Sequence, residues 1–412
     1  MAENRDILQI RELAKKYMEI ACSEKHVRMR KRFRDSNDLK IVRPPVIIEE
    51  IPWEQMNIDH ALDCVSEDPE LRRVEYALRI ALFREKYLCC DNYIEPCMTV
   101  GMHYESSGNG LPGRKERTLA QKNTDIVSHT FEDVLADESA LENFHLPVIT
   151  AHPEKDREEA DRLREILGDT VPVEIRGHLV FHCPWDDLAF LRGVEPILYD
   201  LYERPEYLHR IMQLLTAAKQ AEIDQMEALG LLDPRAMDVH CTPAVVTVPG
   251  GHEAGGYRAS DVWFRTMAQM FSAVSPAMHD EFDVQYSLPI AKRFAYTYYG
   301  CCEPLSDRLD VILQIPNLRK VGCSPWSDVE RTAEVLGKNY ILSKKPSPSN
   351  VAVCTDTDAV RREIEQTVKA CQRYGTPCDI TLKDISTVGD RPENLIVWAE
   401  TVSEVLDAYY GE

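Results

Sequence analysis

Residues 294–343 read FAYTYYGCCEPLSDRLDVILQIPNLRKVGCSPWSDVERTAEVLGKNYILS, and this stretch decides the fold. Three short β-type runs, Phe294–Gly300, Leu318–Cys323 and Asn339–Ser343, recur with a helical pattern, Ser327–Leu336, before the last of them. Working outward, the same alternation continues in both directions. Further β-type runs stand at Val46–Ile51, Tyr93–Gly101, Val171–Arg176, Ala236–Cys241 and Cys378–Leu382. Helical patterns lie between them, at Leu71–Lys86, Lys155–Leu167, Tyr207–Leu229, Ser260–Val274 and Ala359–Tyr374. Strand–helix alternation argues for parallel βαβ units, and eight repeats predict closure into a (β/α)8 TIM barrel. An open doubly wound sheet is the alternative, and it more often carries a Gly-rich first turn. The chain has neither GxGxxG nor GxxxxGK[ST], so nothing in it supports nucleotide binding.

Residues 5–34 read as a helix, with Ile7, Leu8, Ile10, Leu13, Tyr17 and Ile20 at roughly helical spacing. Arg43-Pro44-Pro45 stops any helix there, because a residue before proline is pushed out of the α region. The division is therefore a helical extension over 1–45 and a barrel catalytic domain over 46–412. His103–Leu146 is polar and irregular and reads as a lid-like insertion after the second strand.

Composition narrows the function. The net charge of −21 disfavours nucleic acid, whose phosphates such a surface repels. No run approaches the length of apolar sequence a membrane span needs, and the charged start lacks a signal core; the expectation is a cytoplasmic protein. The thirteen cysteines are odd in number and scattered, which is no disulfide framework. Cys22, Cys64, Cys354, Cys371 and the Cys89-Cys90 pair read as packing.

In a barrel of this kind the active site lies at the carboxyl ends of the strands. Those ends carry Glu49 and Glu50, then Asp91, Glu95 and Cys97, then His178, His182 and Cys183. They continue with His240-Cys241, Cys301-Cys302-Glu303, Cys323, Lys344-Lys345 and Lys383-Asp384. Thiolate, imidazole and carboxylate converging on one mouth suit zinc. Side chains alternate along a strand, so Cys301 and Glu303 are expected inward together, with Cys302 inward as the alternative. A lysine beside Pro346-Ser347-Pro348 suits an anionic group of a substrate. Trp53, Trp185 and Trp326 each follow a strand, where an aromatic wall suits a flat ligand.

Several motifs resemble the uroporphyrinogen-decarboxylase superfamily, in the same order along the chain. Phe271–Phe282, FSAVSPAMHDEF, is similar to its SPxMxxEF helix, which leads into a strand matched here by Tyr298–Pro304, YYGCCEP. Ile197–Glu206, ILYDLYERPE, resembles its dLyedPe helix, and Arg391–Leu395, RPENL, its closing tPxeNl segment. The resemblance implies one of two activities: decarboxylation of tetrapyrrole acetate arms, or methyl transfer between a small molecule and the cobalt of a corrinoid protein, usually with zinc. The decarboxylases' MRQAGRY segment is replaced by the acidic Ile48–Gln55, IEEIPWEQ, which repels a substrate of eight carboxylates. The zinc methyltransferases' HxCG becomes Tyr299-Gly300-Cys301, and Lys383-Asp384 stands where their last cysteine falls.

The resemblance is thus closest to the corrinoid-dependent methyltransferase branch, of the O-demethylase type. It implies a corrinoid-binding protein as partner, cobalamin carried on it, and a small methylated substrate such as a methoxylated aromatic. Glu303, Cys301 and His240 are the expected catalytic groups. Glu49, Asp91, His182 and Lys345 would orient substrate. Cys301, Glu303 and Cys323 are the metal ligands if zinc takes part. A decarboxylase, a metal-dependent hydrolase, which the absence of an early HxH on the first strand counts against, and a non-catalytic tetrapyrrole- or corrinoid-binding barrel are the rival readings, and the sequence leaves a homodimer open.

Overall fold

The computed structural model describes residues 5–120, 127–235, 239–245, 256–352 and 356–411. Cys354 and the first half of the run Ala236–Cys241 lie outside the described residues.

The N-terminal pattern forms two helices, Arg5–Ala21 and Glu24–Asn37, because Ser23 lies extended between them and its hydroxyl accepts the amide of His26. The first helix buries Ile10 and Ala14 against the helix Pro69–Tyr87, whose start is fixed by Pro69 and by the Asp68 carboxylate accepting the amides of Glu70 and Leu71. The second helix is fastened to the first barrel strand by Asp91. One oxygen of that carboxylate takes Arg32. The other accepts the amide of Val46 at 2.8 Å and lies 3.5 Å from Arg43 Nη1.

Thirteen strands follow in chain order among the described residues: β1 Val46–Ile48, β2 Met98–Gly101, β3 Tyr104–Ser106, β4 Glu116–Ala120, β5 Val127–Phe131, β6 Ile149–Ala151, β7 Val173–Arg176, β8 Val180–His182, β9 Trp263–Thr266, β10 Tyr296–Tyr299, β11 Leu318–Cys323, β12 Ile341–Lys344 and β13 Cys378–Leu382. Seven of them form one parallel sheet in the order β1-β13-β12-β11-β10-β9-β8. β2 and β7 pair in parallel as a separate ribbon. The chain ahead of β2 meets β1 where Asp91 N donates to Val46 O, and the chain after β7 bridges Leu232 at His178. The fold is therefore mixed α/β and barrel-like. Among the described residues its ladder runs through seven strands, and no backbone pairing joins the two edges, β1 and β8.

Two segments differ from expectation. Ser260–Val274 does not form a helix. Its centre is β9, flanked by the short 3-10 turns Ala259–Asp261 and Gln269–Ala273. Val262, Trp263 and Phe264 are buried on both faces, and a strand covered on both faces carries a continuous apolar run that helical periodicity also fits. The insertion is not irregular throughout: β3 pairs with β6 and β4 with β5, both antiparallel. The described end of the expected fourth strand, Val239–Cys241, is a turn in which Val239 N donates to Thr242 O. No helix among the described residues is long and apolar enough to cross a membrane.

Alternation along the strands sorts the side chains into an interior and a helix-facing set. Lys320 of β11, Ser343 of β12 and Asp379 of β13 meet inside. Lys320 Nζ lies 2.5 Å from Asp379 Oδ2, and Ser343 Oγ donates to Asp379 Oδ1 at 2.6 Å. Outside, Val321, Leu342, Ile380 and Leu382 join the core under the helices Val329–Leu336, Thr357–Tyr374 and Glu393–Tyr410. Asp328 and Asp356 cap the first two of these helices, accepting the amides of Arg331 and Ala359.

Candidate active site

A cavity of about 280 Å³ opens at the carboxyl ends of the strands. Glu50 follows β1, Phe181 belongs to β8, Arg265 belongs to β9, Cys301 and Cys302 follow β10, and Lys383 and Asp384 follow β13. His240, Cys241 and Gln269 complete the lining.

Gly300 brings both cysteines to the cavity. It leaves β10 at φ +107°, and a Cβ there would lie 2.8 Å from Leu305 Cδ1. Gly322 leaves room for that turn, because a Cβ on it would lie 3.4 Å from Cys301 N. Strand alternation ends at this point, so Cys301 and Cys302 lie side by side with their sulfurs 3.4 Å apart. The Cys301 amide donates to Glu303 Oε2 at 2.8 Å, which turns the glutamate back beneath the loop and away from the cavity lining.

Lys383 is buried and is the charge around which the cavity is arranged. Its Nζ lies 3.2 Å from Asp384 Oδ1, 3.8 Å from Glu50 Oε2 and 3.8 Å from Cys301 Sγ. Burial alone would ease its proton off, but Cys301 and Asp384 outweigh burial and hold it above the usual lysine range. In return, the hydrogen bond with Cys302 and then the charge of Lys383 hold Cys301 below the usual thiol range, while Cys302 is pushed up by its bond to Cys301 and by burial. Three rim residues, Glu50, Cys241 and Asp384, adopt left-handed backbone with φ of 54°, 53° and 57°. They are tied to one another: Cys241 Sγ lies 3.6 Å from Glu50 Oε1, and Asp384 N donates to Glu50 Oε2 at 2.8 Å.

Behind Cys301, Glu303 is buried, and burial raises it above the usual carboxylate range. Its second oxygen has no hydrogen-bond partner among the described residues. Nearby, Tyr299 OH donates to Asp283 Oδ2 at 2.7 Å and contacts His279 Nε2, and His279 Nδ1 lies 3.4 Å from Arg308. Asp186 is raised to about 6 by burial and then by Asp187, and it accepts from Gln269 Nε2 at 3.3 Å.

Of the residues singled out from the sequence, Cys301 and His240 line the cavity and Glu303 lies beneath it. His240 is held below the usual imidazole range by burial and by Lys345. Lys345 is interior, donating to His240 O at 3.3 Å and lying 5.7 Å from the Tyr298 ring centre. The other candidates are placed elsewhere. Glu49 turns to Arg84 at 3.1 Å and Asn92 at 2.8 Å. Asp91 fastens the helix Glu24–Asn37 to β1. His182 faces away from the cavity that its neighbour Phe181 lines, and is lowered to about 3 by burial. Cys323 is fully buried beneath the helices and pushed up to about 11 by burial. Lys344 pairs with Glu363 at 3.0 Å on the outside. Trp53 packs edge-on against Phe83 and Trp185 is fully buried, whereas Trp326, after β11, is 73% exposed. Arg265 and Phe181 line the cavity without having been singled out, and Lys383 and Glu50 stood among the strand-end groups without being given a role. The signal for Lys383 and Glu50 was their place just after a strand.

Zinc is tested by the donor set. Among the described residues no group of three or more His, Cys, Asp or Glu side chains is placed to hold a metal ion. Cys323 is buried outside the cavity that Cys301 lines, and an ammonium flanks the Cys301 sulfur. The described residues do not fit zinc.

No family model matches the chain, and no curated protein matches it. Among solved structures it is similar to a methyltransferase from Methanosarcina mazei at 13% identity and a TM-score of 0.49, over 93% of this chain and 99% of that one. That likeness is too distant to assign a function.

Proposed function

We propose that the chain is a methyltransferase that moves a methyl group between a small methylated compound, such as a methoxylated aromatic, and the cobalt of a corrinoid carried by a separate protein. The observation that carries this is the cavity at the strand ends, with a protonated Lys383 at its centre. About 280 Å³ suits a single-ring compound and is near the lower bound for ligand pockets. It is too small to enclose a corrinoid, so the partner's cofactor would lie across the mouth.

When docked, a reduced corrinoid on the partner would supply the nucleophile for the methyl group. The protein's part is at the leaving atom. As the bond between methyl carbon and oxygen breaks, negative charge grows on that oxygen, and the Lys383 ammonium meets it with a charged hydrogen bond. Asp384 and Glu50 hold the ammonium in place, and solvent at the rim supplies the proton that the departing oxygen finally takes. Cys301 and Cys302 form the floor, and Glu303 fixes their loop through the Cys301 amide. Zinc takes no step in this scheme.

The test is methylcobalamin formation from free cob(I)alamin and a panel of methoxylated aromatics. Lys383→Met is expected to lower kcat about 100-fold with little change in KM. An unchanged kcat would remove Lys383 from the reaction, and a blank panel would remove the reaction itself. Metal analysis of protein purified without oxygen bears on zinc: one tightly bound zinc per chain, lost in Cys301→Ala, would restore the metal. The cationic interior of Lys383, Arg265 and Lys345 also favours a second reading, decarboxylation of a small ring acid, which carbon dioxide release would reveal.

A further inference from the structure

We infer that the ligand of the cavity carries an anionic group and that Arg265 is the residue that reads it. This deepens the reading above by naming the chemical class of its substrate: a small ring compound bearing a carboxylate.

The argument begins with what Arg265 lacks. It projects from β9 into the cavity lining. Among the described residues its Nε is buried without a hydrogen-bond partner, and no carboxylate lies within ion-pair distance of its guanidinium. Among the described residues its one polar contact is Nη2 to the Met267 sulfur at 3.3 Å, and thioether sulfur is a weak acceptor. The sequence holds 69 acidic against 48 basic residues, so a lone guanidinium does not reflect a shortage of carboxylates. Asp186 is close enough to feel the charge of Arg265, yet it bonds to Gln269 instead. Leaving donors unpaired in a half-buried site costs stability unless a ligand completes them.

The second observation is Phe181. Its ring lines the same cavity, is 45% exposed, and has the Arg265 guanidinium 5.6 Å from its centre. An exposed ring beside an unpaired fork of N–H donors offers one surface to an aromatic face and another to a planar anion. The third is the balance of charge below. Lys345 lies deeper in the interior, and Lys383 already has Asp384 and Glu50. Among the described residues that line the cavity, Arg265 is therefore the cation left for a ligand. A carboxylate matches the guanidinium in two parallel hydrogen bonds, which an ammonium cannot reproduce.

Benzoate and benzamide have nearly the same shape and differ in charge, so titration calorimetry of the full chain with each isolates the effect. Benzoate is expected to bind at least about 10-fold more tightly than benzamide. Arg265→Met is expected to abolish that preference, and Arg265→Lys to keep part of it. Equal affinity of the unaltered protein for the two, no binding of benzoate, or a preference surviving in Arg265→Met would overturn the inference; the first two need no variant to fold. Neither ligand has a methyl group to give, so a failed methyl-transfer assay with the preference intact would sink the reaction alone.

Discussion

Single residues set which groups reach the cavity, and here neighbours in sequence part company. Phe181 faces the ligand while His182 faces the helices; Lys345 is interior while Lys344 pairs outside with Glu363. Sequence shows that a strand ends in a polar pair, but not the parity that decides which member points inward, since a shift of one residue exchanges the faces. Asp186 provides a test at this scale. Burial raises it to about 6, above the value near 3.9 of an unfolded aspartate. The folded protein then binds the extra proton between about pH 4 and pH 6, so this group's contribution falls as pH rises through that window and opposes folding above it. Asp186→Asn is expected to stabilise the protein by about 1 kcal/mol at pH 7.5, an amount limited by solvent screening, and by nothing at pH 4. Thermal melts at the two pH values check this, and a gain confined to pH 4 would reverse the sign.

At the scale of elements, the alternation of strands and helices was legible because buried strands and amphipathic helices have different periods. The segment around β9 was not, because a strand covered on both faces loses its period-two signature. The cost fell on the site, since Arg265 sits on that strand. Asp91 illustrates the converse, a residue legible as chemical whose chemistry is structural. It joins Arg32, Arg43 and the amide of Val46, and so locks the helix Glu24–Asn37 to β1. Asp91→Ala strands two arginines, and is expected to cost about 3 kcal/mol of stability. Denaturant unfolding should show that loss while benzoate affinity stays within about twofold. Lost affinity in a folded variant would return Asp91 to the ligand.

For the whole molecule, the polar interior raises a question of stability. Burial alone would raise Asp379, but Lys320 and Lys345 outweigh it and hold it below the usual carboxylate range. Its contribution is therefore full above about pH 4 and lost as pH falls through the lower folded value. Lys320→Met leaves Asp379 buried without its ion pair and is expected to cost about 3–5 kcal/mol. Adding Asp379→Asn should recover much of that loss. Chemical unfolding of the single and double variants decides it: equal losses in both would mean that the lysine matters for packing and not for charge. The sequence pointed to this interior only through polar residues inside strand runs. It could not say that three strands place Lys320 and Ser343 within hydrogen-bond reach of Asp379, because that is a matter of register.

The left-handed backbone at Glu50, Cys241 and Asp384 has a practical consequence for anyone breeding variants of this protein. Glycine tolerates that conformation without the steric penalty that other residues carry, roughly 1 kcal/mol per site. A library screened for heat resistance alone should therefore drift towards glycine at all three positions. Each such winner would lose a side chain from the cavity rim, and with Glu50 or Asp384 a partner of Lys383. Robustness and turnover would be traded against each other at the same three codons, and selection for both would have to look for its gains elsewhere in the chain.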